Sequence, residues 1–164
     1  MILTIDIGNT HKKYSIFKNN NLLKTDRWCP QDQFQDIRKT IISTVTHESI
    51  NSIKDYIVPK KLIKNNHLFD MQVHYTEQVG EDRLATAFYV YRNFAGTSLC
   101  IDTGTFTTVD LISEYGFEGG YILPGLNSIK ENYSKGSRLN VPPLNLFNHH
   151  GIPQSTTEAI NSGV

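Results

Sequence analysis

Two eight-residue stretches of this chain share one pattern: an apolar run, an aspartate and a glycine turn. Leu3–Thr10 reads LTIDIGNT and Leu99–Phe106 reads LCIDTGTF. Asp6 aligns with Asp102 and Gly8 with Gly104, and a hydroxyl or amide side chain follows each glycine. β-type residues lead into each stretch (Ile2, Leu3, Ile5; Leu99, Ile101) and out of it (Tyr14, Ile16, Phe17; Val109, Leu111, Ile112). A strand, an acid, a glycine turn and a second strand make a hairpin. Glycine carries no Cβ to hold a phosphate off, so backbone N–H groups can approach its oxygens. The carboxylates are hard ligands for a metal or a monovalent cation beside those oxygens. Two such hairpins point to one nucleotide held between two related half-folds. Taken singly, each has a plainer reading. Gly-Asn turns between strands are common, and alternate threonines such as Thr107 and Thr108 are good strand formers.

The elements around these turns follow from spacing. Residues 1–17 read as two strands joined at Gly8-Asn9, then a polar turn at Lys18–Asn21 and a third strand over Leu22–Trp28. Phe34, Ile37, Ile41 and Ile42 recur at helical intervals, which predicts a helix over Asp32–Thr44. Short strands are expected around Ile57-Val58 and Gln72–Tyr75, with a helix near Ser49–Tyr56. Gly80–Phe94 predicts a mostly apolar helix opened by Asp82 and Arg83. Thr97–Ile101 and Thr107–Ser113 flank the second turn. Gly116–Gly125, GFEGGYILPG, predicts a tightly turned segment with a short strand at Tyr121–Leu123. Leu126–Lys135 reads as a helix and Leu139–Asn148 as a proline-interrupted loop. Ser155 stands three residues before Glu158, a capping-box spacing for a helix over Thr156–Gly163. An end at Val164, just inside a capped element, predicts a fragment or a shortened protein.

The 164 residues suit one large domain or two small ones. Lys+Arg and Asp+Glu are both 16, so no net charge draws the chain to nucleic acid or an anionic membrane. No run approaches the ~20 apolar residues of a membrane span. Asp6 breaks the N-terminal apolar run too early for a signal peptide. The two cysteines, Cys29 and Cys100, lie far apart, and Cys100 reads as a buried structural thiol. A cytoplasmic protein is the expectation. His149-His150 reads as a polar loop pair. His11, His47, His67 and His74 lack metal-ligand spacing, so no zinc site is expected.

Five patterns occur in order: DIGNT at Asp6–Thr10, GEDR at Gly80–Arg83, DTGTFTTVD at Asp102–Asp110, GGYILPG at Gly119–Gly125 and STTEAINSG at Ser155–Gly163. The set resembles the type III pantothenate kinases, coenzyme A pathway enzymes of the acetate kinase/Hsp70/actin superfamily. The resemblance implies an α/β protein of two ribonuclease H-like domains of the actin-like ATPase type. They would cover residues 1–94 and 95–164, the second truncated at its C-terminus. It further implies ATP-dependent phosphorylation of the primary hydroxyl of pantothenate, with Mg²⁺ and a monovalent cation (K⁺ or NH₄⁺), in a homodimer with active sites at or near the subunit contact.

Matched by motif, the resemblance makes Asp82 the catalytic base and Gly80, Glu81, Asp82 and Arg83 the substrate-binding segment. Such a base orients the hydroxyl and takes its proton, and a guanidinium can grip the carboxylate of pantothenate with two bonds. An Asp-Arg pair at a helix start has an ordinary alternative as a capping pair. Asp6, Ile7, Gly8, Asn9, Thr10, His11, Lys12 and Lys13 become the nucleotide-binding segment, with Asp6 on Mg²⁺. Thr105 contacts ATP and Asp102 the monovalent cation. Thr156 contacts substrate, with Thr157 as a one-residue alternative and a helix cap as the plain reading of either. Tyr75 matches the tyrosine that contacts substrate upstream of GxDR. Gly119, Gly120 and Gly125 shape the pocket floor. The chain departs from the family at Thr86, usually asparagine, and Phe106, usually alanine. Members also continue past the last motif, with a glycine-rich segment at the adenosine. Two other readings stand beside this one: another phosphotransferase or polyphosphate-type phosphatase of the superfamily, and a catalytically impaired dimeric binding or regulatory protein.

Overall fold

The computed structural model describes residues 1–46, 50, 53, 55–75, 79–135, 152–155 and 158–159. Contacts divide the chain into two units, Met1–Cys100 with Asp110–Gly120 and Ile101–Val109 with Tyr121–Val164. Both helices and strands are present, in two sheets, so the protein is of mixed α/β class.

The first sheet begins as an antiparallel meander of β1 (Ile2–Ile7), β2 (Lys12–Lys18) and β3 (Asn21–Arg27). Asn19 and Asn20 join β2 to β3 with φ of 51° and 65°. A two-residue turn matched to strand twist needs two positive φ values, and asparagine tolerates them. On the other side of β1 lies β4 (Lys39–Thr44), parallel to it, then β5 (Tyr56–Ile57), parallel to β4. The order is β3-β2-β1-β4-β5. Leu3, Ile5 and Ile7 alternate along β1 and pack with Tyr14, Trp28 and Ile42.

The helix expected over Asp32–Thr44 is absent. Residues 32–38 are irregular, with bends at 35, 36 and 38, and Lys39–Thr44 is a strand. The run Thr40-Ile41-Ile42 is β-branched, stiff at χ1 and suited to a pleated, buried surface. Pairing with β1 on one side and β5 on the other overrides the helical spacing.

The second sheet has the order β6-β7-β8-β11-β10-β9. Its strands are β6 (Ile63–Lys64), β7 (His67–Leu68), β8 (Met71–Val73), β9 (Ser98–Thr103), β10 (Phe106–Ser113) and β11 (Gly116–Pro124). GFEGGYILPG is therefore mostly one nine-residue strand and not a cluster of turns. Gly116 accounts for part of its glycine content. It sits at φ 136° against Gln72 of β8, and a Cβ there would run into the Gln72 backbone. Helix α1 (Glu81–Asn93) packs Leu84 and Ala87 onto Leu68, Met71, Val73, Val79, Ile112 and Phe117. Cys100 is half-buried against the same core. Helix α2 (Leu126–Ser134) follows β11.

Near the C-terminus, Ser155 Oγ accepts the Glu158 amide at 3.2 Å and Glu158 Oε2 accepts the Gln154 amide at 2.9 Å. The first is the cap bond that the spacing implies, while the return bond comes from the residue before the cap and not from Ser155 itself. Thr156 and Thr157 lie outside the described residues, as do His47, His149 and His150 and most of Ser49–Tyr56. Among the described residues no helix is long and apolar enough to cross a membrane.

Candidate active site

Asp6 is the penultimate residue of β1. Strand alternation turns it away from buried Ile5 and Ile7, and it is exposed. Its register neighbours are Lys13 on β2 and Ser43 on β4, so a carboxylate stands in a row between a cation and a hydroxyl. Ser43 Oγ is buried with no hydrogen-bond partner among the described residues. A buried hydroxyl left unmet costs about 1–3 kcal/mol, so a ligand oxygen or ordered water beside it would be stabilising. The turn beyond closes where the Gly8 amide donates to the His11 carbonyl at 3.0 Å. Asn9, Thr10, His11 and Lys13 are exposed, Lys12 is half-buried and Ile7 is in the core.

The Gly80–Arg83 segment opens α1. Gly80 precedes the helix, and Glu81 and Asp82 place acids in its first turn, where the helix dipole favours them. Asp82 Oδ1 accepts the Arg83 amide at 2.8 Å. A Cβ at position 80 would collide with that same oxygen. The glycine thus lets the Asp82 carboxylate fold back over the helix start. Asp82 Oδ2 has no partner among the described residues. Thr86, the departure noted above, donates its hydroxyl to the Asp82 carbonyl at 3.0 Å.

Glu81 ties this helix to the first sheet. It is buried, and its Oε2 accepts the Thr44 amide at 3.0 Å. Burial pushes its carboxyl above the ordinary glutamate range, partly opposed by the Thr44 amide and by Lys60 and Lys61. Thr44 is the register partner of Ile7. The Thr44–Glu81 bond therefore sets the start of α1 at the same sheet end as Asp6 and Gly8. In open α/β sheets, ligands bind outside the carboxyl ends of parallel strands, which is this end of β1 and β4.

Arg83 is buried. Its Nε donates to both Asp110 oxygens at 3.1 Å, its Nη2 donates to Oδ1, and both side chains are 5% exposed. Its guanidinium carbon lies 5.2 Å from the Tyr75 ring centroid and 5.6 Å from that of Phe117. The Asp110 bonds hold the guanidinium's pKa above its ordinary value. Asp110 therefore pairs the charge of Arg83, the residue that the resemblance places in the substrate-binding segment. That acid entered the sequence reading only as the last letter of DTGTFTTVD. Tyr75 stacks on Phe117 with centroids 5.9 Å apart. Gly119, at φ 109°, lies beneath Tyr75, where a Cβ would meet ring carbon Cδ2 at 3.4 Å.

The second hairpin belongs to the other unit. Asp102 is exposed near the end of β9. The Gly104 amide donates to the Phe106 carbonyl at 2.9 Å and closes the turn. The Thr105 carbonyl accepts the Gly125 amide at 3.0 Å and the Ser128 hydroxyl at 3.4 Å. A Cβ on Gly125 would run into the carbonyl oxygens of Gly104 and Thr105. The last glycine of GGYILPG is thus what lets the start of α2 back this turn. Gly120 is exposed.

A cavity of about 440 Å³ lies at the opposite end of β1, with Lys18, Arg38 and Lys39 among its lining. None of the sequence-predicted site residues contributes to it.

Residues 31–164 match the family model described as type III pantothenate kinase. Curated relatives of that name include one from Desulforapulum autotrophicum, 29% identical over 197 residues, covering 100% of this chain and 74% of the relative. Those of Kosmotoga olearia and Thermobifida fusca are each 26% identical, covering 100% of this chain and 73% and 75% of theirs. Among solved structures, a conserved Baf family protein from Campylobacter jejuni superimposes with a TM-score of 0.68 at 24% identity. It covers 99% of this chain and 73% of that one, a likeness that shows the fold alone.

Proposed function

The chain belongs to the type III pantothenate kinase family, and we propose that its Asp6 hairpin and Gly80–Arg83 segment are the working parts of that kinase. The enzyme phosphorylates pantothenate with ATP, in coenzyme A biosynthesis. In the transfer, the bond between the γ-phosphorus and the β,γ-bridging oxygen breaks as the pantothenate hydroxyl oxygen bonds to phosphorus. ADP leaves, and the hydroxyl proton passes to Asp82 Oδ2. The observation that carries this reading is the Thr44–Glu81 bond, which supports Asp82 and the Asp6 turn acting together at one sheet end.

The Gly8 turn and Lys13 handle the triphosphate, and Thr105 meets ATP from its own hairpin. Asp6, with the unmet Ser43 hydroxyl beside it, offers oxygen ligands that fit Mg²⁺ or its waters. When bound, Mg²⁺ neutralises charge on the phosphate oxygens. Asp102 takes the monovalent cation, and Tyr75, Glu81 and Thr156 complete the pantothenate site. The order β3-β2-β1-β4-β5, an antiparallel meander followed by two parallel strands, supports a ribonuclease H-like first domain. A second such domain from residue 95, a homodimer and a cytoplasmic location complete the proposal. Family membership disfavours the impaired binding protein.

Asp6→Asn in the full-length protein tests the Mg²⁺ assignment. The half-saturating Mg²⁺ concentration is expected to rise at least ~10-fold, with pantothenate KM changed less than ~3-fold. An unchanged Mg²⁺ requirement removes Asp6 from that role.

A further inference from the structure

We infer that Asp110 is a positioning residue of the phosphoryl transfer: its two-pronged hold on Arg83 fixes the first turn of α1 and with it the aim of the Asp82 carboxylate. The inference deepens the reading above and rests on Asp82 as the base.

The start of α1 has no side-chain cap. Its rigidity comes from the residues on either side of Asp82. Glu81 is bonded to Thr44 at the end of β4. Arg83 is bonded to Asp110 on β10. Asp82 is thus suspended between two anchor points on different sheets, both within one unit of the fold. Its own Oδ1 is bonded to the Arg83 amide, so a shift of the Arg83 backbone carries the carboxylate with it. A base displaced by about 1 Å can lose on the order of 100-fold in rate.

The pair is also buried. Both side chains are 5% exposed, and the guanidinium rests against Tyr75 and Phe117. Its charge is paired from within by Asp110. Well-packed apolar residues can often replace a buried ion pair without loss of stability. The geometry that this pair imposes is then what the kinase needs from it.

The test is the double variant Arg83→Met/Asp110→Leu in the full-length protein, assayed beside Asp82→Asn. The double variant should melt close to wild type, lose at least ~30-fold in kcat and keep pantothenate KM within ~3-fold. Wild-type kcat in the folded double variant would overturn the inference, leaving the pair structural. A pantothenate KM raised more than ~10-fold with kcat preserved would also overturn it, making Arg83 a substrate ligand. If the double variant does not fold, Asp110→Glu keeps the charge but lengthens the strut by one methylene, and the same split is expected. Absence of the split there overturns the inference. Near-normal turnover in Asp82→Asn would sink the underlying site reading, whereas an inactive Asp82→Asn with a fully active double variant sinks this inference alone.

Discussion

The two Asp-Gly hairpins share one pattern, identical at four of eight positions, and are held in opposite ways. In the first, Leu3 and Ile5 lead into the turn and are each 2% exposed, because β2 and β4 flank β1 and its apolar face is core. In the second, the aligned Leu99 and Ile101 are 67% and 62% exposed. Strand pairing on both sides supports the Asp6 turn, and Asp6 lies in a fixed row with Lys13 and Ser43. The Asp102 turn is instead backed by the start of α2, through Gly125 and Ser128 on the Thr105 carbonyl. A repeated motif thus specifies the turn and the alternation around it. What steadies the turn is decided by partners distant in sequence, so the two hairpins should fail differently.

The largest contrast is expected from paired glycine substitutions. Gly125→Ala places a Cβ against two backbone carbonyls with no side-chain rotamer to yield. ATP affinity, read by calorimetry, should weaken at least ~10-fold. Gly8→Ala brings its Cβ only to 3.0 Å from the His11 carbonyl. That turn is backed by strands, and the expected cost is about 1 kcal/mol or less in denaturant unfolding. Equal losses at both sites would erase the distinction. A smaller effect separates the hairpins by ligand. Turnover in Na⁺-only buffer should fall about 5-fold below that in K⁺ or NH₄⁺. Asp102→Asn should abolish that preference and Asp6→Asn should retain it. A preference that survives Asp102→Asn would move the monovalent cation elsewhere.

Much of the first sheet was legible because its signals are local. Alternation along Ile2–Ile7, the Gly8 turn and the asparagine pair at 19–20 each act within a few residues. Helix α1 was legible from the spacing of Leu84, Ala87, Phe88 and Tyr91 and from the acids before them. The strand Lys39–Thr44 was misread because its isoleucines fit helical spacing as well as strand alternation, and only pairing with β1 decides between them. GFEGGYILPG was misread as turns because its glycines meet sheet neighbours, as Gly116 meets Gln72. In the candidate site, motif and chemistry single out Asp6 and the GEDR residues. Asp110 was not, because its partner lies 27 residues away. An acid on a strand whose alternate neighbour Ile112 is buried was the available signal, since a buried carboxylate requires a cation. The Ser43 hydroxyl was missed because the register across β1 and β4 alone brings it beside Asp6.

The central claim is that the carboxylate at the start of α1 takes the proton of the alcohol being phosphorylated. Steady-state turnover of Asp82→Asn in the full-length protein, with its melting temperature measured alongside, tests it most directly. The expected result is a kcat lowered more than ~100-fold at an unchanged melting temperature. Turnover within a few-fold of wild type would contradict it.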